Sequence, residues 1–282
     1  MSTGVAVAPW RRAVHILRST AALTVFFLYL MLFMGPLQRL IVTPLVWLMP
    51  ARRARILSRW IRFCARVTRA IVVRGAGVRI SVEGVRIAES AVVVMNHQSV
   101  LDIPIALCEV HGPPALIPVR TRYRWGIPGI SPFLRMMPYP FITQKRATMK
   151  QDLAEIRAGC ARVAAGEASL VFFPEGHRSR SGEIGRFMPG GLTVTLDAAR
   201  RPVYVIVGDG MWRARTMMES LSSLAGTEVR VRITGPFAPP ERAEDIAPFI
   251  AGLRDRMVES LHQLRSDSGG DAAVARIAES AD

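Results

Sequence analysis

Four apolar residues in succession, Val92-Val93-Val94-Met95, stop abruptly at the polar turn Asn96-His97-Gln98-Ser99. A short continuous apolar run bounded by turn residues reads as a strand buried on both faces. Leu101, Ile103, Ile105, Ala106 and Leu107 then suit a helix, with Pro104 tolerated because it falls in the first turn. Strand, polar turn and helix in that order make the unit of an open α/β sheet, where ligands lie at the carboxyl ends of strands. A histidine in that turn is therefore placed for chemistry. Asp102, five residues on, is near enough to bond one imidazole nitrogen, fixing the tautomer and leaving the other nitrogen as a general base. A purely local reading competes with this one. Ser99 and Asp102 also fit the serine-x-x-acid pattern of a helix start, where both side chains only cap backbone donors.

A second stretch shifts the balance: Phe172-Phe173-Pro174-Glu175-Gly176-His177-Arg178-Ser179-Arg180-Ser181-Gly182, again directly after an apolar strand. A Gly/Ser-rich loop with Arg178 and Arg180 offers forked cationic donors and backbone N–H groups, which suits phosphate. Together the two stretches resemble the glycerolipid acyltransferase family, the group containing 1-acylglycerol-3-phosphate acyltransferases. That family carries Asn-His-x4-Asp as its catalytic motif and Phe-Pro-Glu-Gly-x-Arg-Ser in its acceptor site. The resemblance runs from about Val82 to about Val207, under half of the chain.

The resemblance implies His97 and Asp102 as the catalytic pair. It implies Asn96, Ser99, Arg120, Lys145, Arg146, Glu175, Gly176, Arg178 and Arg180 around the substrates. Ser99 also stays open as a covalent acyl carrier. Departures occur between Arg120 and Arg146. Arg120 stands where the family has Lys, and Pro128 is followed by Ser131 where Pro-x-x-Gly is usual. Phe141-Ile142-Thr143 fits, but Gln144 occupies the position of an arginine that contacts the acceptor phosphate, with Lys145 and Arg146 just after. A neutral amide makes a phosphate contact about half as strong as a charged donor. His177 replaces the family's Thr or Ser, which reads as an accommodated substitution.

Charge and hydropathy say where such a protein works. The formal net charge is +15, and thirteen arginines precede the first acidic residue, Glu83. A cationic block of that kind seeks membrane or nucleic acid. Ser19 to Leu37 is uncharged and mostly apolar, long enough to be a transmembrane candidate. Leu40 to Met49 is a shorter apolar run, with Pro36 and Pro44 breaking the two. Arginine flanks both sides, so a hairpin with both ends on the cytoplasmic face, or helices lying in the interface, fits the positive-inside rule. A cleaved leader fits less well, since no small-x-small site closes the run.

From Ala51 to Ile71 a helix is predicted with Arg52, Arg55, Arg59, Arg62, Arg66 and Arg69 on one stripe. Ile56, Leu57, Trp60, Cys64, Val67 and Ile71 lie opposite, the pattern of a helix on anionic lipid; a helix packed on the domain is the alternative. No nucleic-acid motif is present. Cys64, Cys108 and Cys160 form no Cys-x-x-Cys pair and read as reduced thiols facing the cytosol, and the five histidines show no metal-ligand spacing.

The expected fold is α/β, a mixed sheet flanked by helices and preceded by an N-terminal membrane-binding helical segment. Residues 1–75 would anchor, 76–264 would form the catalytic domain, and 265–282 would be a small, polar, disordered tail. The implied reaction moves a fatty acyl group from acyl-CoA or acyl-carrier protein to the free hydroxyl of a lysophospholipid, without cofactor or metal. The foremost acceptor is 1-acyl-sn-glycerol-3-phosphate, giving phosphatidic acid. The implied place is the cell membrane, with the catalytic domain on the cytoplasmic side. Two alternatives stay open: a non-phosphate acceptor such as lyso-ornithine lipid, at which Gln144 hints, or a non-catalytic lipid-binding protein.

Overall fold

The computed structural model describes residues 9–279; residues 1–8 of the expected anchor and 280–282 of the expected tail lie outside them. From Trp10 to Leu48 the chain is one continuous helix, α1. Pro36 and Pro44 were expected to break it, and they do not. A helical proline lacks its N–H and strikes the carbonyl four residues back. Those carbonyls, of Leu32 and Leu40, fall within π-helical turns at Tyr29–Met34 and Gln38–Val42, where the wider ladder makes room. The chain then reverses into α2 (Arg53–Ala70). Its apolar face was expected to meet lipid, but much of it meets α1: Trp60 is buried, stacks on Phe63, and donates through Nε1 to Gln38 Oε1 at 3.3 Å. Arg52, Arg55, Arg59 and Arg66 are exposed, as a lipid-facing stripe requires. Arg62 and Arg69 instead tie α2 to the domain, donating to the carbonyls of His111 and Gly112 and pairing with Glu109 at 2.9 Å.

The remaining elements are β1 (Arg79–Gly84), β2 (Val92–Met95), α3 (Asp102–Glu109), β3 (Ala115–Leu116), β4 (Val119–Arg120), α4 (Ile130–Met136), β5 (Phe141–Ile142), α5 (Met149–Ala164) and β6 (Ser169–Phe172). They are followed by α6 (Pro189–Ala199), β7 (Val203–Asp209), α7 (Met217–Ser223), β8 (Glu228–Phe237) and α8 (Ile246–Glu279). Six strands form a mixed sheet in the order β1-β8-β7-β2-β6-β3, with only the β7–β8 pair antiparallel. β4 and β5 make a separate parallel pair.

Burial explains the sequence texture of the central strands. Every residue of β2 and β6 is buried, because helices cover both faces of the sheet. β2 lies between β6 and β7, parallel to both, with Val94 paired to Phe172 and Met95 to Ile206. That register brings the turns after β2 and β6 to the same height at one edge of the sheet. The domain does not close at residue 264: Arg265 bonds Asp209 and Glu183, and Asp267 pairs with Arg232 at 2.8 Å. These contacts fold the start of the segment expected to be disordered, and helical backbone continues to Glu279.

Candidate active site

His97 sits in the turn between β2 and α3. Its Nδ1 is 2.8 Å from Asp102 Oδ2, and the same oxygen accepts the N–H groups of Gln98 at 2.6 Å and Ser99 at 2.7 Å. Both sequence readings of Asp102 are therefore met by one atom, which orients the imidazole and ties down the loop before α3. A buried carboxylate on Nδ1 fixes the proton there and directs Nε2 outward as the basic nitrogen. Among the described residues Nε2 has no hydrogen-bond partner. The ring stacks on Phe173, centroid to centroid 4.4 Å, while part of it stays accessible.

The second motif grips the backbone of the first. Three residues beyond the Val94–Phe172 pair stand His97 and Glu175, and His97 N–H donates to Glu175 Oε1 at 3.0 Å. Ser179 N–H donates to the His97 carbonyl at 2.6 Å. Both backbone groups of the histidine are thus held by the loop after β6. Glu175 Oε2 accepts from Gly185 N–H at 2.8 Å, which braces the far side of that loop. Burial pushes the Glu175 carboxyl up from its ordinary range, while the two amides pull it down. Gly176 has φ +69°, a left-handed conformation that strains a residue carrying a Cβ and favours glycine.

Three residues expected at the substrates, Asn96, Ser99 and Glu175, are buried and bonded to backbone. Asn96 is 2% exposed, and its amide exchanges two 2.8 Å bonds with the backbone of Gly208 on β7. Ser99 is 0% exposed and donates to the Ala214 carbonyl at 2.6 Å, so its hydroxyl is neither a substrate contact nor a reachable nucleophile. Glu175, at 1% exposed, has both oxygens committed to backbone. These bonds satisfy polar groups that burial has removed from water and tie the turn to the strands around it.

The cationic residues remain at the surface. Arg178 is half-buried and donates to the Arg215 carbonyl at 2.7 Å; Arg180, His177, Lys145 and Arg146 are exposed. Arg120 is half-buried and pairs in β4 with Ile142 of β5. Gln144, in a left-handed conformation with φ +60°, donates through Nε2 to the Gly176 carbonyl at 3.3 Å. This contact brings the β5 segment to the second-motif loop.

Three further residues organise the site without a sequence signal strong enough to find them. Gln98 Nε2 donates to the Gly182 carbonyl and to Asp209 Oδ1, and its Oε1 accepts from Met211 N–H. Asp209, at the end of β7, is bonded by Arg265 at 2.9 and 3.2 Å, and Arg265 also reaches the Gly182 carbonyl and Glu183. Gln98 lies inside the first motif, but Asp209 and Arg265 are lone charges whose positions only the fold reveals.

Residues 77–208, just under half of the chain, match the family model described as Acyltransferase. No curated protein matches the sequence significantly. Among solved structures the fold is similar to that of the 1-acyl-sn-glycerophosphate (LPA) acyltransferase, PlsC, from Thermotoga maritima. The TM-score is 0.65 at 20% identity, covering 90% of this chain and 98% of that one. At that identity the likeness speaks for the fold, and the family match for the class of reaction.

Proposed function

We propose that this chain, a member of the glycerolipid acyltransferase family, transfers a fatty acyl group from acyl-CoA or acyl-carrier protein to the free hydroxyl of a lysophospholipid. The observation that supports this most is the imidazole held on Nδ1 by a buried carboxylate, with its backbone clamped by the acceptor-type loop. His97 Nε2 takes the hydroxyl proton as the acceptor oxygen bonds the thioester carbonyl carbon. The tetrahedral intermediate collapses with rupture of the C–S bond, and the imidazolium returns the proton to the departing thiolate. Asp102 stabilises the imidazolium and remains ionised. No covalent acyl-enzyme is needed, consistent with the burial of Ser99.

In this reading Arg178, Arg180, Lys145, Arg146 and Arg120 serve the acceptor, and cations of this kind favour a phosphate-bearing lysolipid, foremost 1-acyl-sn-glycerol-3-phosphate yielding phosphatidic acid. One observation favours a second reading. Gln144 directs its amide to Gly176 and brings no charge, which suits an acceptor without phosphate such as lyso-ornithine lipid. α1 presents an outward face of Leu17, Leu32, Leu40, Trp47 and Leu48, each at least 70% exposed, which suits burial in the cell membrane. Water-soluble thioester donors place the domain on the cytoplasmic side.

The test is purified enzyme with one labelled acyl donor and lysolipids with and without phosphate. The expected outcome is turnover on the phosphate-bearing acceptor and a loss of at least ~10²-fold in His97→Ala. Preference for the phosphate-free acceptor would hand the assignment to the second reading. A folded His97→Ala protein working at the wild-type rate would overturn the mechanism.

A further inference from the structure

Between Glu109 and Asp152 the chain has no acidic residue, while seven lysines and arginines fall in that interval. A solvated loop ordinarily mixes signs. Here four of the seven, Arg120, Arg122, Arg124 and Arg135, gather at one protrusion, the segment from β4 to α4. Arg135 lies 4.0 Å above the ring of Trp125, Arg122 lies 4.7 Å above Tyr123, and Arg124 lies 5.2 Å from the ring of Phe141. Arg135 also donates to the Arg124 carbonyl at 2.8 Å. All three arginines are exposed, and Trp125 is 66% exposed. Among the described residues none of the three pairs with a carboxylate.

The protrusion is seated on α1, at the middle of its apolar length. A Cβ on Gly35 would meet the backbone nitrogen of Gly129 at 3.7 Å. Gln38 and Thr43 approach Met136 Sδ at 3.7 and 3.6 Å, and Arg53 donates to the Met136 carbonyl at 2.7 Å. The outward side chains of α1 in this stretch, among them Leu32, Leu40 and Trp47, are exposed.

We propose that the Arg122–Arg135 segment is a second membrane-docking element, in which Trp125 enters the interface and the three arginines hold anionic lipid headgroups. Guanidinium forks match phosphate geometry, and Trp prefers the boundary between headgroups and acyl chains. An acidic protein would answer the charge equally well, but docked here it would leave the adjoining apolar face of α1 in water. A bilayer covers both at once. The consequence reaches the site: Phe141, on which Arg124 rests, is three residues before Gln144, which bonds Gly176. Docking thereby sets the acceptor loop at headgroup depth. This inference rests on the reading of α1 as the membrane-facing element.

The experiment uses full-length Trp125→Cys, labelled with an environment-sensitive fluorophore; the three native cysteines are buried. The protein is reconstituted in nanodiscs of phosphatidylcholine with or without phosphatidylglycerol. The expected result is a blue shift that requires phosphatidylglycerol and fades as ionic strength rises from about 0.05 to 0.5 M, over which the Debye length falls from about 14 to 4 Å. The same shift should be lost in Arg122→Ser/Arg124→Ser/Arg135→Ser, and the salt titration, done without those changes, guards against a variant that fails to fold. A label at Leu32→Cys separates the two ideas. If it reports lipid while the position-125 label stays silent in both compositions, this inference is overturned and the role of α1 stands. If both stay silent, both are overturned. A response at position 125 only when acyl-carrier protein is added, with none to lipid, would also overturn it.

Discussion

One oxygen, Asp102 Oδ2, accepts from three donors: the His97 ring and the amides of Gln98 and Ser99. This makes Asp102→Asn and Asp102→Ala informative as a pair. An asparagine carbonyl can occupy the same position and still accept the loop amides, but it brings no charge to stabilise the imidazolium. Asp102→Asn is thus expected to lower kcat by at least ~10²-fold with a small change in Tm. Asp102→Ala leaves buried donors unmet, at about 1–3 kcal/mol each, and Tm should fall steeply as well. A wild-type kcat in folded Asp102→Asn would reduce the carboxylate to a loop brace. The pair itself was legible in sequence because five residues is a local distance. The roles of Asn96, Ser99 and Glu175 were not, because their partners Gly208, Ala214 and His97 belong to other segments that only the sheet brings near. A motif records that a residue is required; it does not say whether the requirement is contact with substrate or support for a loop.

Among the elements, α8 does the most that the sequence conceals. Its Arg265 joins Asp209 at the end of β7, Gly182 and Glu183 in the second-motif loop and, through Asp209, Gln98 beside His97. The hydrogen bonds it donates to the Asp209 and Glu183 carboxylates hold its guanidinium pKa above the ordinary value. Arg265 touches no reacting atom, so its expected effect is on positioning. Displacements of ~1 Å can cost 10²-fold in rate, and Arg265→Ala is expected to lower kcat about tenfold with little change in KM. Arg265→Lys should recover only part, because an ammonium cannot reproduce the forked contact. Initial-rate kinetics beside thermal melts check this: a fall in Tm alone, with wild-type kcat at a permissive temperature, would leave Arg265 a structural tie. The strands β2 and β6 were legible because near-continuous burial writes itself as a near-continuous apolar run. α1 was misread at its prolines because the relief comes from π-helical turns, which leave no residue signature. The α2 stripe was half legible, since periodicity shows a charged face but not that Arg62 and Arg69 find partners on α3 and the loop after it.

At the scale of the whole molecule, the membrane role proposed for α1 raises the question of how such a helix would meet a bilayer. Its 39 residues make a helix about 58 Å long at 1.5 Å per residue, against a hydrocarbon core of about 30 Å. Length alone would let it span. Its contacts argue otherwise, because the domain holds it at intervals along its course. Ser19 Oγ accepts from Ala225 N–H at 2.9 Å near one end, and Thr43 and Val46 are packed in near the other. The early contact also makes α1 part of the fold, which a cleaved leader would not be. A helix that crossed the membrane would carry parts of one folded domain to opposite sides. Lying in the interface, as we propose, it would keep the domain on one side and turn only its exposed stripe of Leu17, Leu32, Leu40 and Trp47 into lipid. The arginines at both ends, which gave no orientation under the positive-inside rule, then belong to a single leaflet. Single cysteines at the exposed positions Arg11 and Arg52 test this in sealed vesicles with a membrane-impermeant maleimide. The expected outcome is that both react from the same side. Reaction of one from outside and the other only after permeabilisation would make α1 a transmembrane helix and require its contacts with the domain to open.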